Sequence, residues 1–169
     1  MRMVGIHERD IRDRETAEAV WALQHPAYRA EASLIGVSEL PPLRDTVETL
    51  QSCGESFIGF GNEEGELIGA VSYENDGKTW TVCRLMVHPD HHRKGIGTRL
   101  MESLLSIQEK KVWTVTAEVR NLPAISLYER FGFQGRDTIK PMPGIVLLRL
   151  VREPEEAAEE RVSDDGNST

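Results

Sequence analysis

Apolar positions along the chain change their period several times, and each change marks an element. Residues 14–24 place Ala17, Val20, Trp21 and Gln24 at helical spacing just before Pro26, which predicts a first helix ending near that proline. A second helix is predicted over 42–52, with Leu43, Val47 and Leu50 on one face and a proline in its first turn. A short strand over 4–7 precedes both. From residue 56 the period shortens: 56–60 and 66–73 read as strands around the polar turn Gly61-Asn-Glu-Glu-Gly65, and Asn75-Asp76-Gly77 marks a second hairpin before 79–87. Helical spacing returns with Ile96, Leu100, Leu104 and Ile107 over 96–108. A strand over 112–119, a helix over 123–131 and strands over 133–139 and 145–151 complete the order. The pattern predicts the α/β class, of α+β type: a single mixed, mainly antiparallel central sheet of about 6–7 strands flanked by about 4 helices.

A length of 169 residues fits one domain. Its end is expected at 152, because 153–169 set seven acidic side chains against Arg161 and hold no large apolar residue but Val162. That stretch reads as an acidic, disordered C-terminal tail. It carries −6 of the formal charge of −8, so the body, 1–152, is nearly neutral. A nucleic-acid groove needs a surplus of Lys and Arg, and none is present. No apolar run approaches the roughly 18 residues of a membrane span, and the first residues lack the apolar stretch of a secretion signal. A cytoplasmic protein with neither membrane nor nucleic-acid partner is expected. Cys53 and Cys83 stand far apart in sequence and read as buried packing residues. The strand over 145–151 reads as an exposed edge, which would support a homodimer or be covered by a loop or the tail.

Chemistry concentrates in Arg84-Leu-Met-Val-His-Pro-Asp-His-His-Arg-Lys-Gly-Ile-Gly-Thr-Arg-Leu100. A strand ends at Val87, Pro89 stops it, a cationic turn follows, and Gly95 and Gly97 open an amphipathic helix. Unpaired N–H groups and the positive end of the helix dipole favour an anion there, and glycines let its oxygens approach the backbone. The same pattern also suits an ordinary helix start packed tightly through glycines. A dinucleotide fingerprint would need a third glycine where Leu100 stands, and too little chain follows for a doubly wound domain. Gly77-Lys78-Thr79 lacks the first glycine of a phosphate loop and sits on a hairpin turn. His88, His91 and His92 do not share a helical face, because Pro89 intervenes, so no metal site is expected.

Two blocks resemble the GNAT superfamily of N-acetyltransferases. His92-Arg-Lys-Gly95-Ile-Gly97 is similar to its acetyl-CoA motif Q/R-x-x-G-x-G/A, with His at the first position. Asn121-Leu-Pro-Ala124-Ile-Ser-Leu-Tyr128-Glu-Arg-Phe-Gly132-Phe133 is similar to its N-x-x-A-x-x-L-Y-x-x-x-G-F. The resemblance is close over 84–133 and follows the element order over 12–151. It implies the acyl-CoA N-acyltransferase fold and acetyl transfer from acetyl-CoA, as co-substrate, directly to a primary amine in a ternary complex. It further implies that the backbone of Leu85, Met86 and Val87 runs along pantetheine and that Arg93, Lys94, Gly95, Ile96, Gly97 and Thr98 wrap the pyrophosphate. Asn121 would lie near the cofactor arm, Tyr128 would be the acid for the departing thiolate, and a backbone N–H near Met86 would steady the oxyanion.

Glu118 occupies the place of a base in the ribosomal-protein acetyltransferases of that superfamily, where Glu-Val-Arg precedes the Asn block; the intervening turn here is two residues shorter. Read from the residues alone, Glu118 shares a strand face with Thr114 and Thr116 and serves equally as a solvated strand-end carboxylate. Tyr128 equally completes a core stripe with Ala124, Leu127 and Phe131. Asn121 equally caps the helix that Pro123 opens. Glu31 falls between the first two predicted helices, in the segment that lines the acceptor site in the resembling family, and would bind or deprotonate the amine; read from the residues alone it serves as an exposed loop or helix carboxylate. The competing function is an acyl-CoA-binding regulatory module without turnover.

Overall fold

The computed structural model describes residues 3–154, and of the tail expected over 153–169, residues 155–169 lie outside the described residues. Seven strands form a single sheet in the order β1-β2-β3-β4-β5-β7-β6. The strands are β1 Gly5–Arg9, β2 Ser56–Gly61, β3 Leu67–Asn75, β4 Thr79–Val87, β5 Val112–Glu118, β6 Gln134–Met142 and β7 Ile145–Arg152. All neighbours are antiparallel except β4 and β5. The helices are α1 Arg14–Ile35, α2 Val47–Gln51, α3 Ile96–Ile107 and α4 Leu122–Arg130, with short 3-10 turns at Pro41–Arg44 and Pro89–His91.

Each face of the sheet has its own core. On one, α3 and α4 bury Leu100, Leu104 and Leu127 against Val71, Val115 and Trp113. On the other, α1 and α2 bury Val20, Leu23 and Leu50 against Phe57, Ala70 and Met86. Burying each such side chain contributes about 1.5–3 kcal/mol, which holds both layers to the sheet.

Three elements differ from the sequence reading. The first helix does not stop at Pro26 but runs to Ile35, where Gly36 ends it in the left-handed conformation. Proline costs that helix one N–H bond, yet the buried stripe Ala17, Val20, Gln24, Tyr28, Ala32 and Ile35 continues in period across it, and packing outweighs the local loss. Glu31 therefore lies inside α1, one turn after Tyr28, and not in a connection. The predicted second helix divides into the Pro41–Arg44 turn and α2, because Thr46 forms a capping box with Thr49 and starts a new helix there. Finally, β7 is not an edge: it lies between β5 and β6, and β6, exposed at every residue, is the edge strand.

What positions the functional region is a flaw in the sheet. The parallel β4–β5 ladder consists of Thr79↔Val112, Trp80↔Trp113 and Thr81↔Thr114, after which the strands separate. On its other side β4 stays paired with β3 through Val87, but the register jumps from Tyr73↔Val82 to Ser72↔Arg84 and leaves Cys83 as an extra residue. Such a bulge bends the strand that carries it. The second half of β4, Arg84 to Val87, thus diverges from β5 and opens a gap in the sheet.

Candidate active site

Two cavities meet at this gap. The larger, about 690 Å³, is bounded by α1, the end of β4, the turn before α3 and the start of α4. The smaller, about 260 Å³, is enclosed by α1, the Leu40–Pro42 connection, β4, β5 and the β6–β7 hairpin. Tyr28, Glu31, Leu85, Asn121 and Ala124 line both.

One end of the larger cavity has backbone geometry and charge of the kind that favours an anion. Arg93 has φ 64°, the only positive φ outside glycine among the described residues, and Gly95 follows at φ 75°. Ile96, Gly97 and Thr98 line the cavity, and their N–H groups have no intrahelical acceptor in the first turn of α3. Gly97 needs no unusual φ, and an added Cβ would meet only Leu127 at 3.4 Å, so the fold itself tolerates a side chain there. His92 Nε2 donates to the Val87 carbonyl at 3.0 Å, closing the turn onto the strand end. His91, Arg93 and Arg130 bring basic side chains to the wall.

Leu85, Met86, Val87, Arg93, Gly95, Ile96, Gly97, Thr98 and Asn121 all line the larger cavity. Lys94 does not; its Nζ lies 3.3 Å from His91 Nδ1. Arg130, in the last turn of α4, was not evident from sequence, because its link to the turn at residues 91–98 depends on how α4 packs beside α3.

Between the cavities, Asn121 caps α4 by accepting from the Ala124 N–H at 3.3 Å and donates from Nδ2 to Glu31 Oε1 at 2.9 Å. Since α1 and α4 cover opposite faces of the sheet, this bond bridges them across the gap. Burial pushes the Glu31 carboxyl above the usual carboxylate range and the Glu118 charge adds to the effect, while the bond from Asn121 opposes them. Tyr128 is only 5% exposed, and among the described residues none hydrogen-bonds its hydroxyl. Burial, with a smaller effect of Glu31, raises its pKa, so the phenol holds its proton at neutral pH. Tyr28 faces Glu31 from α1 and is raised in the same way, first by burial and then by the Glu31 charge. Its position was readable only by continuing the helical period past Pro26.

Glu118 has a different setting. It is 3% exposed, and its Oε1 accepts from the Arg120 N–H at 3.0 Å and from Arg120 Nε at 2.8 Å. Oε2 accepts from the Val146 N–H at 2.7 Å. These bonds, led by the one from the Arg120 side chain, lower its pKa to about 2. Arg120 continues the tie by donating to the Gly144 carbonyl at 2.7 Å. Glu118 is therefore a satisfied anchor for the β6–β7 hairpin, and the solvated strand-end reading does not describe it.

Arg84 makes a second buried polar cluster. Its guanidinium holds Glu55 through two bonds at 3.0 and 3.1 Å, and also meets Asp45 and Gln24 Oε1 at 2.6 and 2.8 Å. This pins α1, the connection after it and the entry to β2 onto β4. Cys83, on the bulge, lines the smaller cavity with its thiol pushed up to about 12, first by burial and then by nearby Glu55 and Glu74. Among the described residues, no three His, Cys, Asp or Glu side chains gather as a metal site, and no helix is long and apolar enough to cross a membrane.

Residues 17–133 match the acetyltransferase (GNAT) family. The chain belongs to that family. It is 42% identical over 133 residues to the UPF0157 protein YqkA of Bacillus subtilis, a match covering 78% of this chain and 38% of the relative. It is also 45% identical over 56 residues to the [ribosomal protein bS18]-alanine N-acetyltransferase of Escherichia coli, covering 31% of this chain and 38% of that protein. The matches thus span 38% of the length of these curated relatives. In fold, the chain is similar to the crystal structure of the ribosomal-protein-S18-alanine N-acetyltransferase from E. coli, with a TM-score of 0.69 and 17% identity over 87% of this chain and 92% of that one. Similar too is YncA from Salmonella typhimurium with its cofactor acetyl-CoA, with a TM-score of 0.65 and 18% identity over 88% of this chain and 94% of that one. This family member has a gap in its sheet and, beside it, the cationic turn that the first sequence block had pointed to.

Proposed function

We propose that this chain is an acetyl-CoA-dependent N-acetyltransferase that passes acetyl directly to a primary amine, with Glu31 as the base and Tyr128 as the hydrogen-bond donor to sulfur. The observation that carries this reading is the junction of the two cavities at Glu31 and Asn121. The larger cavity suits the co-substrate: the turn at Arg93–Thr98 takes the pyrophosphate, and the diverging half of β4 offers its edge to pantetheine. Acetyl-CoA supplies the thioester, an activated acyl group with a thiol leaving group.

The amine occupies the smaller cavity. Its nitrogen gives a proton to Glu31, forms the bond to the acetyl carbon, and the carbon–sulfur bond breaks with its electron pair on sulfur. Tyr128 donates to that sulfur. A phenol whose pKa is raised by burial gives up its proton reluctantly, so stabilisation by a hydrogen bond, with the proton arriving at sulfur later, suits it better than full transfer. Glu31 suits the base role better than Glu118, because its pKa is raised and it faces both cavities, whereas Glu118 spends its oxygens on three bonds. Direct transfer is supported by Cys83, the one thiol at the smaller cavity wall, which stays protonated and is a poor nucleophile.

The test is calorimetric titration with acetyl-CoA followed by thiol release against a panel of amines. Binding with amine-dependent release is expected, and Tyr128→Phe is expected to lower turnover about tenfold or more while changing acetyl-CoA affinity less than about twofold. Binding without release on any amine would replace the enzyme with an acyl-CoA-binding module. Absence of binding would overturn the reading.

A further inference from the structure

The smaller cavity carries information about the acceptor. Its walls are mostly hydrocarbon: Leu40 and Pro41 on one side, Val82 and Val115 at the floor, Met142 and Leu147 on the hairpin side. Its carboxylates are Glu31 and Glu118. Arg84 is the one basic residue in its lining, and that guanidinium is already bound to Glu55, Asp45 and Gln24. Arg120, behind Glu118, is bound to Glu118 and the Gly144 carbonyl. No cation in the wall is therefore left for an anionic group on the acceptor. A carboxylate placed there would be desolvated beside Glu31 with no cation to pair with, a combination that disfavours binding. At about 260 Å³, the space is also below the roughly 300–1,000 Å³ usual for drug-sized ligands.

We infer that the acceptor is a small primary amine on a compact apolar body, aliphatic or aryl, with no carboxylate or phosphate near the nitrogen. This rests on the transferase reading above and names the substrate class of the same site. The amine enters with its nitrogen toward Glu31 and its hydrocarbon against the proline and hairpin walls. Apolar surroundings favour the neutral amine over the ammonium, which is the form that attacks. Amino acids with a free α-carboxylate are rejected by the acidic, cation-poor lining.

The experiment compares matched pairs that differ by one carboxylate: phenethylamine with L-phenylalanine, and isoamylamine with L-leucine, alongside an alanyl tripeptide. Two readouts are used: kcat/KM by thiol release, and equilibrium binding of each compound to protein saturated with CoA. The expected result is a preference for the plain amine of about 100-fold or more in both readouts. Met142→Arg, which places a cation on the partly exposed hairpin wall, is expected to narrow that preference about fivefold. Equal use of both members of a pair, a preference for the tripeptide, or no effect of Met142→Arg would overturn the inference. If acetyl-CoA binds but none of the amines binds or is used, the acceptor class is wrong while the cofactor assignment stands. If acetyl-CoA itself does not bind, the transferase reading fails, and the inference with it.

Discussion

Replacing Glu118 separates an anchor from a base more cleanly than any other single change. Glu118→Gln keeps the shape of the side chain but removes its charge and one of its two acceptor oxygens. The carboxylate serves two backbone N–H groups, those of Arg120 and Val146, together with the Arg120 side chain. The Arg120 side chain is 46% exposed, so solvent screens that ion pair and it adds little. Hydrogen bonds from backbone to a charged acceptor are worth about 1.5–3 kcal/mol each, and glutamine preserves one of the two. A loss of about 2–3 kcal/mol follows, or about 4–12 °C in Tm at roughly 2–4 °C per kcal/mol for a chain of this size.

The sign of the pH dependence follows from the depressed pKa. The stabilisation from Glu118 is fully present above the ordinary carboxylate range and is lost as pH falls toward about 2. The gap between wild type and Glu118→Gln, read from urea titrations at a series of pH values, should therefore be widest above about pH 5 and close near pH 2. Because Glu118 anchors the hairpin wall of the smaller cavity, KM for the amine should rise several-fold while kcat falls less than about fivefold. A variant with unchanged Tm and kcat reduced about 100-fold would refute this reasoning and return Glu118 to the role of base.

Glu31→Gln should lower kcat about 100-fold with little change in acetyl-CoA affinity. In the wild type, the rate should rise with pH as Glu31 loses its proton, along an acidic limb lying above the usual carboxylate range, and in Glu31→Gln that limb should vanish from the kcat profile. Gly97→Ala should leave Tm unchanged or slightly raised, since alanine favours a helix by about 0.5–1 kcal/mol and the added methyl meets only the Leu127 side chain, at contact distance, yet weaken acetyl-CoA about tenfold or more by calorimetry. Unchanged affinity there would remove Gly97 from the cofactor cradle.

The strands were legible because each alternates over a bounded run; β4 agrees with its predicted range at both ends. The turn before α3 was legible because its pattern is local, all within one strand end, one turn and one helix start. Features set by distant packing were not. Pro26 reads as a stop in any local window, and only the buried stripe from Ala17 to Ile35 shows that α1 continues. Edge position is not written in a strand, so β7 and β6 could not be told apart without the ladder. Glu118 and Glu31 are both glutamates beside apolar residues in the sequence; what separates them is the approach of the Val146 N–H to one and of Asn121 to the other, across 28 and 90 positions.

The separation of β4 from β5 gives the sheet the mechanics of two plates joined along a short hinge line. One plate holds β1 to β4 and the other β5, β7 and β6, with three residue pairs between them. Tyr73, Trp80 and Trp113 pack together at that hinge, with ring centroids 5.5–6.0 Å apart, and brace it. Beyond it, the Glu31–Asn121 contact is a light latch on the open side. A molecule lying in the gap touches both plates and acts as a clasp, so occupancy stabilises the folded sheet by mass action. The slowing of amide exchange should then be greatest along β4 after Thr81, where the native sheet leaves its own edge open.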